Sequence, residues 1–308
     1  MHEHAPHDDE HEHSGPLVEL VTLRDWLRYA ITRFNRGGLC FGHGSDNAWD
    51  EAVYLLLHTL ALPLDRLEPF LDACIPIEER IDLLEVIDRR VNNREPAAYI
   101  TGEAWLGPYR FTVDPRVIIP RSYFANLLAE GLAPWVEDPL AITRAADICT
   151  GSACLAILMA DAFPGAAIDA VDLSAEALEV AQENVADYGL EEQVTLHAGD
   201  TFAPLGTHRY DLILSNPPYV TDEAMGALPE EYRHEPAMSL GAGADGLDVV
   251  RKLIAGARSH LNPGGLLLVE VGHNRDLVEA AFPTLPFTWI ADGDAEDKIF
   301  LLHAEELP

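Results

Sequence analysis

Apolar positions recur at helical spacing over the first third of the chain and in short strand-like runs over the rest. Leu23, Leu27, Ala30 and Phe34 share one helical face, and Val53, Leu56, Leu57 and Leu60 another. Ile81, Leu84, Ile87 and Val91 repeat the spacing, and Pro63, Pro69 and Pro76 punctuate the segment. Residues 16–95 are therefore predicted to form a small helical domain. Between Pro96 and Pro120 the texture changes. Residues 99–101, 109–113 and 117–119 read as short strands, with Gly102, Gly107-Pro108 and Asp114-Pro115 as turns, which predicts a β-hairpin linker over 96–120.

From Arg121 onward strand and helix alternate. Strands are predicted over 145–149, 167–172, 194–197, 211–215 and 266–271. Helices are predicted over 175–188, behind Ser174 as N-cap, and over 244–261. This alternation predicts an α/β domain over 121–308, with a parallel sheet covered by helices on both faces. Ligands in such a fold sit beyond the carboxyl ends of the strands, so those turns are where chemistry is expected.

Composition changes the picture at a few points. With 308 residues, 48% hydrophobic and 23% charged, the chain suits a soluble globular protein of one large and one smaller domain. The apolar run from Ala153 to Ala160 is too short to cross a bilayer. The N-terminus, charged from its first residues, lacks the apolar segment of a secretory signal. Residues 1–15 alternate histidine with acids and are expected to form a disordered tail without a specific metal site. Cys40, Cys74, Cys149 and Cys154 have no metal-ligand spacing and read as reduced thiols of a cytoplasmic protein. The net charge of −32 disfavours nucleic acid. Such acidity suits a basic protein partner, or serves solubility alone.

The first predicted strand runs into Asp147-Ile148-Cys149-Thr150-Gly151-Ser152-Ala153, where small residues let a ligand approach the backbone. The absence of G-x-G-x-x-G disfavours a pyrophosphate-binding dinucleotide fold. Asp172, ending the second strand, is placed to accept the hydroxyls of a ribose. Asp200, after the third, is placed to meet an adenine amino group. Together the turns describe a nucleoside site without a phosphate clamp. The fourth strand ends in Asn216-Pro217-Pro218-Tyr219. The Asn216 side-chain carbonyl and the Pro217 carbonyl can accept the two hydrogens of a planar NH2 group. The prolines stiffen the backbone and Tyr219 offers a flat face for packing.

These motifs resemble the class I S-adenosylmethionine methyltransferases that modify planar amino groups. The N-P-P-Y tetrad is shared by DNA amino-methyltransferases and protein glutamine methyltransferases. Pro96–Gly102, Ile119-Pro120-Arg121-Ser122, Glu235-Pro236 and Gly243 with Asp245-Gly246-Leu247 are similar to the HemK-type protein glutamine methyltransferases. Ala104-Trp105, Cys149 and Glu231–Pro236 most resemble the branch acting on ribosomal protein L3; a sibling branch acts on peptide release factors. The resemblance runs from about Leu17 to the C-terminus. It implies a Rossmann-like, seven-stranded, mostly parallel sheet and S-adenosylmethionine as cofactor, with no metal. The implied cofactor residues are Asp147, Cys149, Thr150, Gly151, Ser152, Asp172, Leu173, Asp200, Thr201 and Asn216. Asn216, Pro217 and Tyr219 would be catalytic, with Pro218 and Trp105 completing the substrate pocket. The implied partner is ribosomal protein L3, with neither DNA nor membrane. Two positions depart from the family: Ala153 stands where glycine is usual, and Asn126 where glutamate is usual. The alternatives are a release-factor methyltransferase, an N6-adenine DNA methyltransferase and a non-catalytic S-adenosylmethionine-binding assembly factor.

Overall fold

The computed structural model describes residues 15–291 and 293–308. Apart from Gly15, the predicted tail lies outside them. The chain divides into two compact units. One gathers residues up to Phe41 with Ser45–Thr101, and the other takes Gly42–Gly44 with Gly102–Pro308.

The first unit is helical: α1 (Pro16–Glu19), α2 (Leu23–Gly37), α3 (Ala48–Thr59), α4 (Ile77–Asn92) and α5 (Ala97–Thr101). A capping box starts α2, the Asp25 amide donating to Thr22 Oγ1 and the Thr22 amide to Asp25 Oδ2. Gly38, in the left-handed region at φ 59°, ends it. Leu23, Leu27, Ala30 and Phe34 are buried as the spacing predicts, against Leu55, Leu56 and Leu57 of α3. Each of the leucine and phenylalanine side chains contributes about 1.5–3 kcal/mol of burial. The α4 stripe is corrected. Leu83, Ile87 and Arg90 are its buried positions, whereas Ile81 is 49% exposed. A pattern of apolar letters passes over Arg90, which is buried because its charge is met. Its Nε lies 2.6 Å from Glu51 Oε1, and Nη2 donates to the Cys40 carbonyl.

Two predicted strands are also corrected. Residues 99–101 belong to α5, where the Pro96 carbonyl accepts from the Tyr99 and Ile100 amides. Burial of Ala97, Ala98 and Tyr99 overrides the strand preference of Tyr-Ile-Thr. Residues 117–119 form no strand, because the Ile119 amide donates to the Glu235 side chain instead of a ladder partner. The hairpin itself is present as β1 (Glu103–Leu106) and β2 (Tyr109–Thr112), turning at Gly107 with φ 59°.

The second unit continues with α6 (Phe124–Ala129), β3 (Arg144–Ile148), α7 (Cys154–Ala162), β4 (Ala167–Asp172), α8 (Ala175–Asp187) and β5 (Val194–Ala198). It is completed by β6 (Tyr210–Ser215), α9 (Asp222–Ala227), α10 (Asp248–His260), β7 (Leu261–Glu270), α11 (Arg275–Ala281), β8 (Thr288–Trp289) and β9 (Ile299–His303). The seven-stranded sheet runs β5-β4-β3-β6-β7-β9-β8, parallel except for β9. Alternation in β3 covers both faces. Ala146 and Ile148 join the core built on Val250, Leu253, Ile254 and Ala257 of α10. Asp147 faces the other way and accepts from the Ala156 amide of α7. In register, Ile148 opposes Val171 on one side and Ser215 on the other, so the carboxyl ends of β4, β3 and β6 lie level. No helix among the described residues is long and apolar enough to cross a membrane.

Candidate active site

The turn after β3 is wound tightly. Cys149, Gly151 and Ala153 take left-handed φ values of 66°, 55° and 63°. For Cys149 and Ala153 that conformation costs about 1–2 kcal/mol each. Ala153 caps α7 and is fully buried, so the methyl that replaces the family's glycine is accommodated. Asn126, the other departure, is exposed on α6.

Hydrogen bonds stitch this turn to its neighbours. The Thr150 amide donates to the Val171 carbonyl, and the Gly151 amide to Asp172 Oδ2 at 2.8 Å. Asp172 Oδ1 accepts from the Ser174 amide at 2.8 Å, and the Asp172 carbonyl accepts from Gly199. Asp172 is thus fixed from both sides, with lone pairs left on each oxygen. Burial raises its pKa against those amide bonds. Leu173, beyond it, is 62% exposed.

Asp147 is fully buried. Its Oδ2 accepts from Thr150 Oγ1 at 2.5 Å and from Ala156, while Oδ1 has no hydrogen-bond partner among the described residues. Burial raises the Asp147 carboxyl to about 7 despite the Thr150 and Ala156 bonds. Burial likewise pushes up the Cys149 thiol, with the charges of Asp172 and Asp147 adding to it. The Cys149 thiol is therefore neutral at physiological pH. S-Adenosylmethionine suits this turn set. Its hydroxyls and ammonium are donors, and its net charge is positive beside the gathered carboxyls of Asp147 and Asp172. Among the described residues, no group of His, Cys, Asp or Glu is arranged to hold a metal ion.

Asp200 and Thr201 stand further out. Asp200 is exposed and ion-paired with Lys252 at 2.5 Å, and Thr201 is left-handed at φ 48°. Trp105, 44% exposed on β1, belongs to a hairpin that is tied to α7 and α8. Asn184 bonds both the amide and the carbonyl of Thr112, and Tyr109 reaches Asp161.

The tetrad follows β6, whose last residue donates from Ser215 Oγ to the Ile148 carbonyl at 2.6 Å. Pro217 is buried and Tyr219 partly so. The Tyr219 ring lies on the Gly272 backbone, where a Cβ would meet it at 2.8 Å. The Tyr219 carbonyl accepts from Asn274 Nδ2 at 2.6 Å and leaves no room for a Cβ on Gly246. Burial, then the nearby Glu270 charge, pushes the Tyr219 hydroxyl up, so it stays protonated at neutral pH. Asn216 Nδ2 donates to the Arg121 carbonyl at 3.3 Å.

Sequence reasoning found Arg121, Ser122 and Glu235 only as family resemblance, and it gave no role to Glu270 or His43. Arg121 forms a fork with Glu235 at 2.6 and 2.7 Å. Glu270 accepts from Ser122 Oγ at 2.6 Å and from the Tyr123 amide at 3.0 Å. The pairs are separated by 114 and 148 positions, so no local spacing announces them.

Burial raises the Glu270 carboxyl to about 7, although Ser122, Tyr123 and the Arg121 charge pull the other way. Above its unfolded value near 4.5 the unfolded chain has released this proton while the folded chain keeps it until about 7. Stability from this group therefore falls as pH rises across that window. Moving the apo-protein from about pH 8 to about pH 5 should raise its denaturation midpoint more than it raises that of Glu270→Gln. Equal gains would contradict the protonation assigned to Glu270.

The Methyltransferase small domain model matches residues 125–230. The ribosomal protein uL3 glutamine methyltransferase of Bordetella pertussis is 58% identical, the match covering 94% of this chain and 97% of that protein. The protein of the same name from Neisseria gonorrhoeae is 57% identical, covering 94% and 96%. That from Burkholderia pseudomallei is 54% identical, covering 93% and 96%.

Proposed function

Since the chain belongs to the ribosomal protein uL3 glutamine methyltransferases, we propose that its substrate is a glutamine side chain of uL3. It is an S-adenosylmethionine-dependent protein glutamine methyltransferase. The near full-length identity with those relatives carries the choice of uL3.

When bound, S-adenosylmethionine supplies an electrophilic methyl group. The turn residues Asp147, Cys149, Thr150, Gly151, Ser152, Asp172 and Leu173 would hold it, with Asp200, Thr201 and Asn216 at its margins. The work left to the protein is to make a poor nucleophile react. An amide nitrogen shares its lone pair with the carbonyl, and in our reading the Asn216 and Pro217 oxygens accept its two hydrogens and aim that lone pair. The bound group would supply the methyl to that nitrogen and retain on its sulfur the electrons of the methyl–sulfur bond. Positive charge grows on nitrogen, and the same acceptors bind it more tightly in the transition state. The alkylated nitrogen is acidic and releases one proton to water. Tyr219, held on Gly272, packs the glutamine with Pro218 and Trp105.

A basic ribosomal protein complements a chain with 20 Lys plus Arg against 52 Asp plus Glu, whereas DNA does not. A substrate made and assembled with ribosomes supports a cytoplasmic enzyme. The test is incubation with methyl-labelled S-adenosylmethionine and, separately, uL3, a release factor and duplex DNA. Label is expected in uL3, little or none in release factor and none in DNA. Robust labelling of DNA would sink the proposal.

A further inference from the structure

Glu235 hydrogen-bonds the Ile119–Arg121 segment and stands close to the remote His43. Its Oε1 accepts from the Ile119 amide at 2.9 Å and from Arg121 Nη1 at 2.6 Å, and its Oε2 accepts from Arg121 Nη2 at 2.7 Å. His43 Nε2 stands 3.5 Å from Oε2. That histidine is brought by Gly42–Gly44, the tripeptide that leaves the helical unit to join the catalytic one. It is buried and its ring packs on Tyr232 at 4.3 Å, while the Arg121 guanidinium lies over the same tyrosine at 5.4 Å. Glu235 itself is buried, and although burial opposes its charge, His43 and Arg121 bring its carboxyl down to about 2.

None of these side chains belongs to the tetrad, yet the cluster ends on it. The Arg121 backbone carbonyl accepts from Asn216 Nδ2. A carbonyl accepts only, so the group facing it is the amide NH2, and the Asn216 oxygen is left as the acceptor that the chemistry needs. A flipped Asn216 would set two oxygens against each other and offer the substrate amide a donor.

We propose that Glu235 is a positioning residue for methyl transfer: by clamping Arg121 and Ile119 it fixes the carbonyl that holds Asn216 in its accepting orientation. The inference rests on the role given to Asn216 above. Arg121 acts here through its backbone, so its side chain serves as the handle by which Glu235 holds that backbone in place. A fork of two charge-assisted bonds sets the position far more sharply than one. The arrangement matters because small displacements of an orienting group cost rate while leaving binding little changed.

The experiment is a double-mutant cycle on the full-length protein with uL3 as substrate, combining Glu235→Gln with Asn216→Ala. Glu235→Gln alone should lower kcat by up to about 10²-fold. Its KM for uL3 and its affinity for S-adenosylmethionine should stay within about twofold of wild type. In the Asn216→Ala background Glu235→Gln should cost almost nothing further, because the residue it positions is gone. Multiplying effects, or full activity of Glu235→Gln, would overturn the proposal. Arg121→Lys keeps the carbonyl and a cation but loses the fork, and it carries the same cycle if Glu235→Gln does not fold. Crystal structures of these variants give a readout independent of turnover. The Asn216–Arg121 hydrogen bond should be lengthened or lost, and its persistence unchanged would overturn the inference even if uL3 proved to be the wrong substrate. A wild type that leaves uL3 unlabelled would refute the substrate reading alone.

Discussion

Replacing Asn216 with alanine is expected to lower turnover on uL3 by roughly 10²–10³, the scale of losing one preorganised oxyanion-hole partner. The substitution removes the side-chain acceptor that Asn216 presents once its NH2 is spent on the Arg121 carbonyl. It leaves untouched the turns after β3 and β4, which are stitched to each other by the Thr150, Gly151 and Asp172 bonds. Cofactor affinity should therefore change far less than kcat. Tyr219→Phe should be milder than Tyr219→Ala. The ring is seated on Gly272, and its hydroxyl, pushed up by burial and the Glu270 charge, stays protonated at neutral pH. Full activity of Asn216→Ala, read by single-turnover kinetics, would refute the orientation mechanism and leave the fold assignment standing.

Asp172→Ala is expected to weaken S-adenosylmethionine binding by about 1.5–3 kcal/mol, roughly ten- to more than a hundredfold in Kd. Two losses add. A ribose forfeits charge-assisted acceptors, and the Gly151 and Ser174 amides lose the carboxylate that ties the first turn to the second. Asp172→Asn should fall between, because its one oxygen can serve either amide but not both. Calorimetry on the three proteins decides the matter. Unchanged affinity in Asp172→Ala would mean that the level strand ends do not form the nucleoside site.

What the sequence made legible follows from what each signal encodes. Parallel strands buried on both faces write themselves as apolar runs, so β4 and β6 lie where alternation put them, and the motif turns fall at adjacent carboxyl ends. The stripe of α2 is readable because every buried position on it is apolar. In α4 the buried face includes Arg90, which its bonds to Glu51 and to the Cys40 carbonyl make tolerable, so a pattern of apolar letters selects the exposed Ile81 instead. Tyr99 to Thr101 has strand-forming residues but sits behind Pro96 in a buried turn of helix. Tertiary context outweighs local preference there.

The site divides in the same way. Asp147, Asp172 and the tetrad announce themselves locally, each at the end of a strand. Asp200 carries the same local signal, yet its side chain is exposed and paired with Lys252. The supporting groups are built from contacts between remote positions, as in Arg121 with Glu235 and Ser122 with Glu270. No periodicity records such a pairing, and only the three-dimensional arrangement shows that the Arg121 backbone reaches Asn216.

The most direct test is fragmentation mass spectrometry of uL3 after incubation with the purified protein and S-adenosylmethionine. One added methyl group is expected on a single glutamine, located on the side-chain nitrogen, present with the wild type and strongly reduced with Asn216→Ala. A methyl group on a lysine, arginine or backbone nitrogen, or uL3 left unmodified by an enzyme that methylates another substrate, would contradict the account.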